Sequence, residues 1–278
     1  MKSLFALIRV FVARLLVWAR LEFWAWKKRW TSEIALSLEQ GHRFRFNTYG
    51  EIVKILYAHQ PLNRYGKGFE YQTVAKFTTL VKPGDVVLDV GANVGMYTLL
   101  ASKLVGPAGK VYAFEPVHAT HGALNENLRL NQAGENVKTF KIALSNANGT
   151  AQMSIPTSVG RGSSSDAFNS FQLDTDPSDT GAEVVETIKL DTFVSQHGLK
   201  RIDFIKVDIE GAELLFFQGA EEVLQQLRPR YIVFEAFEQY CIRFGYTIAD
   251  IIVLLKSAGY RVENYAEWQW IGIRENEV

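Results

Sequence analysis

The sequence predicts an α/β fold with a mostly parallel sheet and helices on both of its faces, and two observations carry this prediction. From residue 86 onward, short apolar runs alternate with longer segments in which apolar residues recur at helical spacing. Parallel strands need crossover helices, and right-handed crossovers place those helices on both faces. The last two strand-like runs, 261–264 and 268–273, are separated only by a short turn. They therefore predict an antiparallel pair at the C-terminal end of the sheet.

The stretch VVLDVGANVG at residues 86–95 begins this pattern. Its apolar residues suit a strand buried on both faces, and Gly91 and Gly95 bracket a turn before a predicted helix at 96–105. This combination is typical of a nucleotide-binding loop, because glycine lets the backbone approach a ligand and the helix N terminus offers free N–H groups. The spacing GxxxG departs from the GxGxxG of dinucleotide sites, which argues against a pyrophosphate ligand. An ordinary strand–helix turn is the alternative interpretation.

The rest of the chain follows the same alternation. Strands are predicted at 110–114, 137–142, 204–207 and 231–234, and helices at 70–80, 96–105, 117–130, 212–226 and 248–257. Residues 145–186 interrupt the pattern with a Gly- and Ser-rich run and an acidic, turn-rich run. Two short strands, 151–155 and 186–190, are expected to pair at the base of this insertion. A loop of this length is typically functional, so we expect a flap on the substrate side; a disordered surface excursion is the alternative.

Composition limits the classes of partner. The chain has 278 residues and a formal net charge of zero, which gives no support to a nucleic-acid partner. The single cysteine, Cys241, excludes an internal disulfide and a cysteine-rich metal site, and it favours a reducing, cytoplasmic location. His118 and His121 lie three residues apart on a predicted helix without an identifiable third ligand, so we predict no metal site.

The first 30 residues differ from the rest of the chain in charge. They contain seven basic side chains and one acidic side chain among many aromatic and aliphatic residues. Arg9, Arg14 and Arg20 argue against a transmembrane helix, and no small-x-small cleavage site follows to support a signal peptide. The pattern predicts an amphipathic helix on an anionic membrane surface; packing on the domain or on a second subunit is the alternative. The predicted organisation is a helix at 1–30, a cover region at 31–82, and a main domain at 83–278 that contains the insertion 145–186.

Four predicted strand ends carry acidic residues, namely Asp89, Glu115, Asp208 with Glu210, and Glu235. Ligands of open α/β sheets bind beyond the carboxyl ends of the strands, so these acids are expected to lie along one edge. Each alone could be a helix cap or a solvated turn residue. Glu115 follows Gly95 by about 20 residues, the separation at which an acid after the second strand accepts hydrogen bonds from a ribose diol. The set therefore predicts an adenosine-type ligand.

Three segments give the chain its likeness to a known family. DVGANVG at 89–95, AFEP at 113–116 and IDFIKVDIEGAE at 202–213 resemble the FkbM family of S-adenosylmethionine-dependent methyltransferases. The resemblance implies a class I methyltransferase fold with a seven-stranded sheet, and S-adenosylmethionine as the cofactor. It implies that the cofactor binds Asp89, Gly91, Ala92, Asn93 and Gly95, with Glu115 at the ribose and with Ala143 and Leu144 at the adenine. Since this cofactor carries a sulfonium and no phosphate, the GxxxG spacing agrees with it.

The same resemblance places Asp208 at the end of the fourth strand, facing the methyl group. If residues 206–210 stay extended, Lys206, Asp208 and Glu210 share one face, where a carboxylate could act as the base for an acceptor hydroxyl. An internal salt bridge is the alternative interpretation of Lys206 and Asp208. Glu235 is a second candidate on the substrate side.

We therefore expect an O-methyltransferase that acts on a hydroxyl group of a sugar, glycolipid or secondary metabolite. A lipid-linked acceptor would fit an N-terminal helix on a membrane, and the preference for oxygen over nitrogen rests on the resemblance. One alternative is an NAD(P)-dependent oxidoreductase, which the GxxxG spacing and the lack of a Tyr-x-x-x-Lys pair disfavour. The other is a non-catalytic, membrane-associated binding protein of the same fold, which the set Asp89, Glu115 and Asp208 disfavours.

Overall fold

A computed structural model describes residues 32–37, 43–48, 71–156, 170–171 and 180–275. The strands are β1 (Ser32–Ser37), β2 (Arg43–Thr48), β3 (Val86–Val90), β4 (Lys110–Phe114), β5 (Val137–Phe140), β6 (Ala143–Leu144), β7 (Gly149–Pro156), β8 (Ser170–Phe171), β9 (Thr180–Ile188), β10 (Phe204–Val207), β11 (Tyr231–Glu235), β12 (Tyr260–Asn264) and β13 (Gln269–Arg274). The helices are α1 (Tyr71–Leu80), α2 (Met96–Val105), α3 (His118–Leu130), α4 (Leu190–His197), α5 (Glu213–Gln218), α6 (Glu238–Arg243) and α7 (Ile248–Ser257), with a π-helical turn at Val223–Leu227.

Seven strands form the central sheet in the order β12-β13-β11-β10-β3-β4-β5. Neighbours from β11 to β5 are parallel, whereas β13 runs antiparallel to both β11 and β12. The chain starts in the middle of the sheet, builds one half through β4 and β5, and then crosses back to β10. This order confirms the predicted α/β fold, its class I methyltransferase arrangement and its antiparallel C-terminal pair. The reversal of strand order between β4 and β10 creates a crevice at the carboxyl end of β3.

Helices cover both faces of the central sheet, as the unbroken apolar strands predict. Val87 of β3 belongs to a buried cluster with Phe77 of α1 and Leu100 of α2. The next residue, Leu88, belongs to a second buried cluster that includes Phe193 of α4. Successive side chains of a strand point to opposite faces, so a strand covered on both sides is apolar at most positions. Asp89 in β3 and Lys206 in β10 are the buried charged exceptions, and they lie close to each other.

The insertion folds largely as a second sheet of four strands in the order β6-β9-β7-β8. β7 and β9 pair antiparallel, but residues 151–155 lie opposite 181–185 rather than the expected 186–190, and the second strand ends at Ile188. β6 follows directly from β5 but pairs parallel with β9, with Leu144 opposite Ile188. The chain thus leaves the central sheet earlier than predicted, and the expected strand 137–142 ends at Phe140. Residues 157–169 and 172–179 lie outside the described residues.

The N-terminal cover contains an antiparallel hairpin of β1 and β2 that packs on α3. The backbone N–H of Arg45 donates to Oδ1 of Asn131 at 2.8 Å, and its guanidinium donates to the carbonyl oxygen of Leu130 at 2.7 Å. Phe44 and Phe46 are buried in the same contact region. The predicted helix at 1–30 lies outside the described residues. Among the helices that are described, none combines the length and the apolar character needed to cross a bilayer.

The segment predicted as one helix at 212–226 is interrupted. α5 ends at Gln218, and a π-helical turn follows at Val223–Leu227. A Cβ atom on Gly219 would stand 2.0 Å from the carbonyl oxygen of Ser145, and the carboxylate of Asp191 accepts a hydrogen bond from the Val223 N–H at 2.9 Å. These are long-range contacts that helical periodicity does not record. The helices α4 and α6 were also not predicted.

Candidate active site

A cleft opens at the carboxyl ends of β3, β4 and β10, where the strand order reverses. The described residues that line it are Val90, Gly91, Asn93, Phe114, Glu115, Pro116, Ile142, Ala143, Leu144, Met153, Asp208, Ile209 and Glu210. The predicted site residues that it brings together are Gly91, Asn93, Glu115, Ala143, Leu144, Asp208 and Glu210. The predicted site residues that lie outside this lining are Asp89, Ala92, Gly95, Lys206 and Glu235.

The two glycines of the loop after β3 are required by packing within the protein. Gly91 has φ +75°, and a Cβ atom there would stand 1.9 Å from the carbonyl oxygen of Asp208. Gly95 has φ +94°, and its Cβ would stand 2.6 Å from Cδ1 of Leu124 on α3. Backbone hydrogen bonds complete the arrangement, from the Gly91 N–H to the oxygen of Phe114 at 3.0 Å and from the Asp208 N–H to that of Val90 at 3.1 Å. The GxxxG spacing therefore follows from the close approach of the β3 loop to β10 and α3.

Glu115 follows β4 and lines the cleft. The residue is only 5% exposed, so its carboxylate is largely buried. Its two oxygens accept hydrogen bonds from the backbone N–H groups of Asn93, at 3.0 Å, and Val117, at 3.1 Å. Burial raises the pKa of the Glu115 carboxyl to about 7, against the opposing effect of these two donors. Because a carboxylate has about four acceptor positions, Glu115 keeps capacity for hydroxyl groups of a ligand.

Lys206 lies between the carboxylate of Asp208 at the cleft and the carboxylate of Asp89 in the core. Its Nζ lies 3.2 Å from Oδ2 of Asp208 and 3.7 Å from Oδ1 of Asp89, and its side chain is 6% exposed. The ammonium also lies 5.1 Å from the ring centre of Tyr97. Asp89 is fully buried, accepts a hydrogen bond from the Thr98 hydroxyl at 2.5 Å, and has a pKa raised by burial despite the nearby lysine. Of this group only Asp208 lines the cleft, and Lys206 contacts its carboxylate from the core side while also lying near Asp89.

The turn after β10 does not stay extended. β10 ends at Val207 and Glu210 has φ +55°, so the extended face expected for residues 206–210 does not form. The turn is held by Glu213, whose Oε1 accepts hydrogen bonds from the N–H groups of Ile209 and Gly211 at 3.2 Å. The Tyr246 hydroxyl donates to the carbonyl oxygen of Gly211 at 2.5 Å. Glu213 is the first residue of α5, and its burial raises the pKa of its carboxyl to about 7.

Glu235 lies at the end of β11, beyond β10 on the same edge of the sheet. Its Oε2 accepts a hydrogen bond from Nε2 of Gln269 at 2.8 Å. The parallel register pairs Val207 of β10 with Phe234 of β11, so Asp208 and Glu235 leave their strands side by side. Glu235 thus borders the region next to the cleft.

Sequence reasoning missed most of the apolar wall of the cleft. Phe114, Pro116 and Ile142 flank residues that motifs had marked, and they could have been found as neighbours of those motifs. Met153 comes from β7, in the insertion, and no signal in the sequence connects it with β3. The wall adds apolar surface to a cleft that also contains the carboxylates of Glu115 and Asp208. Within the described ranges, no group of three or more His, Cys, Asp or Glu side chains is placed to hold a metal ion.

Comparison with known proteins gives a consistent result. The model of the methyltransferase FkbM domain family matches residues 89–262. Methyltransferase sdnD of Sordaria araneosa is 30% identical over 66% of this chain and 76% of its own length. The 31-O-demethyl-FK506 methyltransferase FkbM of Streptomyces tacrolimicus is 28% identical over 66% of this chain and 75% of its own. The 2-O-methyltransferase NoeI of Sinorhizobium fredii is 28% identical over 58% of this chain and 68% of its own.

Proposed function

This chain belongs to the FkbM family of methyltransferases, and we propose that it methylates a hydroxyl group on a sugar, a glycolipid or a related secondary metabolite. It is an enzyme whose cofactor is S-adenosylmethionine. Membership of a methyltransferase family argues against both alternatives, an NAD(P)-dependent oxidoreductase and a binding protein without activity. The observation that carries the choice of a hydroxyl acceptor is the carboxylate of Asp208, which lines the same cleft as an apolar wall suited to an adenosine group.

The residues present fit the cofactor, which supplies an electrophilic methyl group on a sulfonium. The carboxylate of Glu115 suits the two hydroxyls of a ribose, because each can donate a hydrogen bond to it. Ile142, Ala143 and Leu144 offer an apolar surface suited to an adenine ring. The open backbone around Gly91 and Asn93 is suited to the amino-acid end. We propose that Asp89 supports this loop from the core, because its side chain is buried against Thr98 and Lys206.

Methyl transfer to oxygen requires that the acceptor be aligned and lose its proton. We propose that Asp208 orients the acceptor hydroxyl and takes that proton as the oxygen is methylated. Lys206, 3.2 Å from Oδ2 of Asp208, fixes the direction of the carboxylate. Glu210 lines the same side of the cleft and contributes acceptor contacts. The names of two relatives, a 31-O-demethyl-FK506 methyltransferase and a 2-O-methyltransferase, support oxygen as the methylated atom.

We further propose that residues 1–30 hold the enzyme on an anionic membrane surface, where a lipid-linked acceptor would be within reach. The support is the concentration of basic and aromatic side chains in this segment. A basic amphipathic segment gains both apolar burial in the headgroup region and attraction to anionic lipids.

Transfer of a labelled methyl group tests both proposals. The full chain is incubated with S-adenosylmethionine labelled in its methyl group and with a cell extract separated into lipid, glycan and small-metabolite fractions. We expect label in a compound that loses it under treatment specific for methyl ethers. Label in the lipid fraction that depends on residues 1–30 supports membrane recruitment. Label only in nitrogen-linked products would contradict the proposed hydroxyl acceptor, and equal labelling of lipids after deletion of residues 1–30 would contradict recruitment.

The pKa of Glu115 leads to a pH dependence of cofactor binding. The pKa in the folded protein is about 7 and a ribose diol binds the ionised carboxylate best, so binding requires loss of a proton below pH 7. We expect the Kd of S-adenosylhomocysteine, measured by calorimetry, to rise as pH falls from 8 to 6, with a limiting slope of about tenfold per pH unit. The free energy of unfolding of the ligand-free protein depends on pH in the opposite direction, because the raised pKa of Glu115 means that the folded state favours the protonated carboxyl. This contribution to stability is present below the pKa of the unfolded state and is lost as pH rises through 7.

The matched control is Glu115→Gln, which keeps the shape of the side chain and cannot ionise. We expect weaker binding of S-adenosylhomocysteine whose Kd changes little between pH 6 and 8. A variant that keeps the pH dependence of the native protein would show that another group is responsible.

A further inference from the structure

Three aromatic side chains meet at the carboxyl end of β11, where the chain turns into α6. The rings of Phe237 and Trp268 are stacked, with centres 4.5 Å apart and planes inclined by 25°. The ring of Tyr240 follows, 5.1 Å from that of Phe237. Trp268 is 44% exposed, an unusual state for the largest apolar side chain. We call these three residues the aromatic patch.

The aromatic patch lies next to the cleft. Asp208 and Glu235 leave neighbouring parallel strands side by side, and strands in a sheet are about 4.8 Å apart. Phe237 is two residues past Glu235. The turn that carries Glu210 packs directly on the patch, because a Cβ on Gly211 would stand 2.9 Å from Cβ of Tyr240. The patch therefore lies beside the turn whose Ile209 and Glu210 line the cleft.

The patch is rigid and has a polar border. The Ala236 N–H donates to the carbonyl oxygen of Trp268 at 3.0 Å, which fixes the turn before β13 against the end of β11. Glu235, hydrogen-bonded to Gln269 at 2.8 Å, forms one border, and the guanidinium of Arg243 lies 5.8 Å from the ring centre of Tyr240 on another. The result is a stack of aromatic rings with a partly exposed indole, bordered by carboxylate, amide and guanidinium groups.

We propose that the aromatic patch is the acceptor subsite and that it takes a pyranose ring; this inference rests on the proposed methylation of a hydroxyl group. One face of a pyranose presents C–H groups that can lie on an aromatic ring, while its hydroxyls project from the edge. The exposed part of the Trp268 ring provides the apolar surface, and the bordering polar groups provide donors and acceptors for the hydroxyls.

Binding of simple glycosides tests this inference independently of turnover. The full chain, saturated with S-adenosylhomocysteine, is titrated with the methyl pyranosides of glucose, galactose, mannose and glucuronic acid, and Kd values are measured by saturation-transfer NMR. We expect at least one glycoside to bind through the C–H face of its ring. Trp268→Ala and Trp268→Leu should each raise that Kd about tenfold, while Trp268→Phe should keep part of the affinity. The Kd of S-adenosylhomocysteine should remain unchanged.

Val253→Ala is the control, because Val253 is an exposed apolar residue on α7, at 67% exposure, outside the patch. The inference is overturned if no glycoside binds the native protein, if phenol binds the patch while the glycosides do not, or if Trp268→Leu binds glycosides as well as the native protein. These results differ from a failure of the proposed function. If the enzyme methylates a non-sugar hydroxyl and substitution of Trp268 has no effect, only the proposed subsite is wrong. If glycosides bind but no methyl group is transferred to oxygen, only the proposed reaction is wrong.

Discussion

Replacement of Asp208 with Asn is expected to lower kcat by about 10²–10⁴-fold, the range typical for the loss of a general base. Asn has nearly the same shape and still accepts a hydrogen bond from Lys206, but it cannot take a proton from an acceptor hydroxyl. Since Glu115 and the apolar wall are unchanged, the Kd of S-adenosylhomocysteine should stay within about twofold, well below the tenfold that 1.4 kcal/mol represents. Single-turnover transfer of a labelled methyl group, together with calorimetric titration, measures both quantities.

Glu210→Gln is the matched control, because Glu210 is the other carboxylate on the acceptor side of the same cleft. Its left-handed backbone turns it away from the direction of β10, so we expect a modest effect on kcat. If Glu210→Gln removes turnover and Asp208→Asn does not, the base is Glu210. If neither variant changes kcat, the rate depends on neither Asp208 nor Glu210, and the proposed role of Asp208 is wrong.

Replacement of Gly91 with Ala is expected to destabilise the fold by about 3 kcal/mol or more, or to prevent folding. Two costs combine at this position. The residue has φ +75°, and its Cβ would stand 1.9 Å from the carbonyl oxygen of Asp208, in a backbone held by hydrogen bonds to both neighbouring strands. Relief of the clash requires that β3 and β10 separate at the cleft. The free energy of unfolding in urea and the yield of folded protein measure the effect.

Gly84→Ala separates the two costs. Gly84 has φ +83°, similar to Gly91, but a Cβ atom there has no heavy atom within 4 Å among the described residues. Gly84→Ala should therefore lower the free energy of unfolding only by the conformational cost of a left-handed alanine, about 1–2 kcal/mol. Equal destabilisation by the two substitutions would show that the approach of Gly91 to Asp208 is unimportant.

The strands and most helices could be predicted because their signals are local. α2 and β4 begin and end where the sequence predicts, since glycines and the apolar pattern mark both ends within a few residues. The segment 212–226 could not be predicted, because the contact of Gly219 with Ser145 spans more than 70 positions of the chain. The unpredicted α4 is likewise tied by Asp191 to the backbone of a distant turn.

In the candidate site, too, residues with local sequence signals could be predicted and residues placed by distant contacts could not. Glu115 and Asp208 were found because each follows an apolar strand directly, and parallel strands end along one edge. Glu210 was expected to continue a strand, and its turn depends on Tyr246, a contact that no local pattern announces. Met153 could not be found because it belongs to the insertion. The motifs thus indicated the polar groups, whereas the apolar wall depends on how the two sheets meet.

That meeting of the two sheets has a consequence for the design of chimeric enzymes. Ala143 and Leu144 of β6 and Met153 of β7 line the cleft, yet all three belong to the second sheet. The insertion is therefore not a detachable cassette that could be exchanged between relatives to alter acceptor choice alone. A graft of residues 145–186 from another enzyme would also replace Met153, which lines the cleft, together with most of β7 and β9. A graft restricted to 157–179, between β7 and β9, would keep Met153 and is the better unit of exchange.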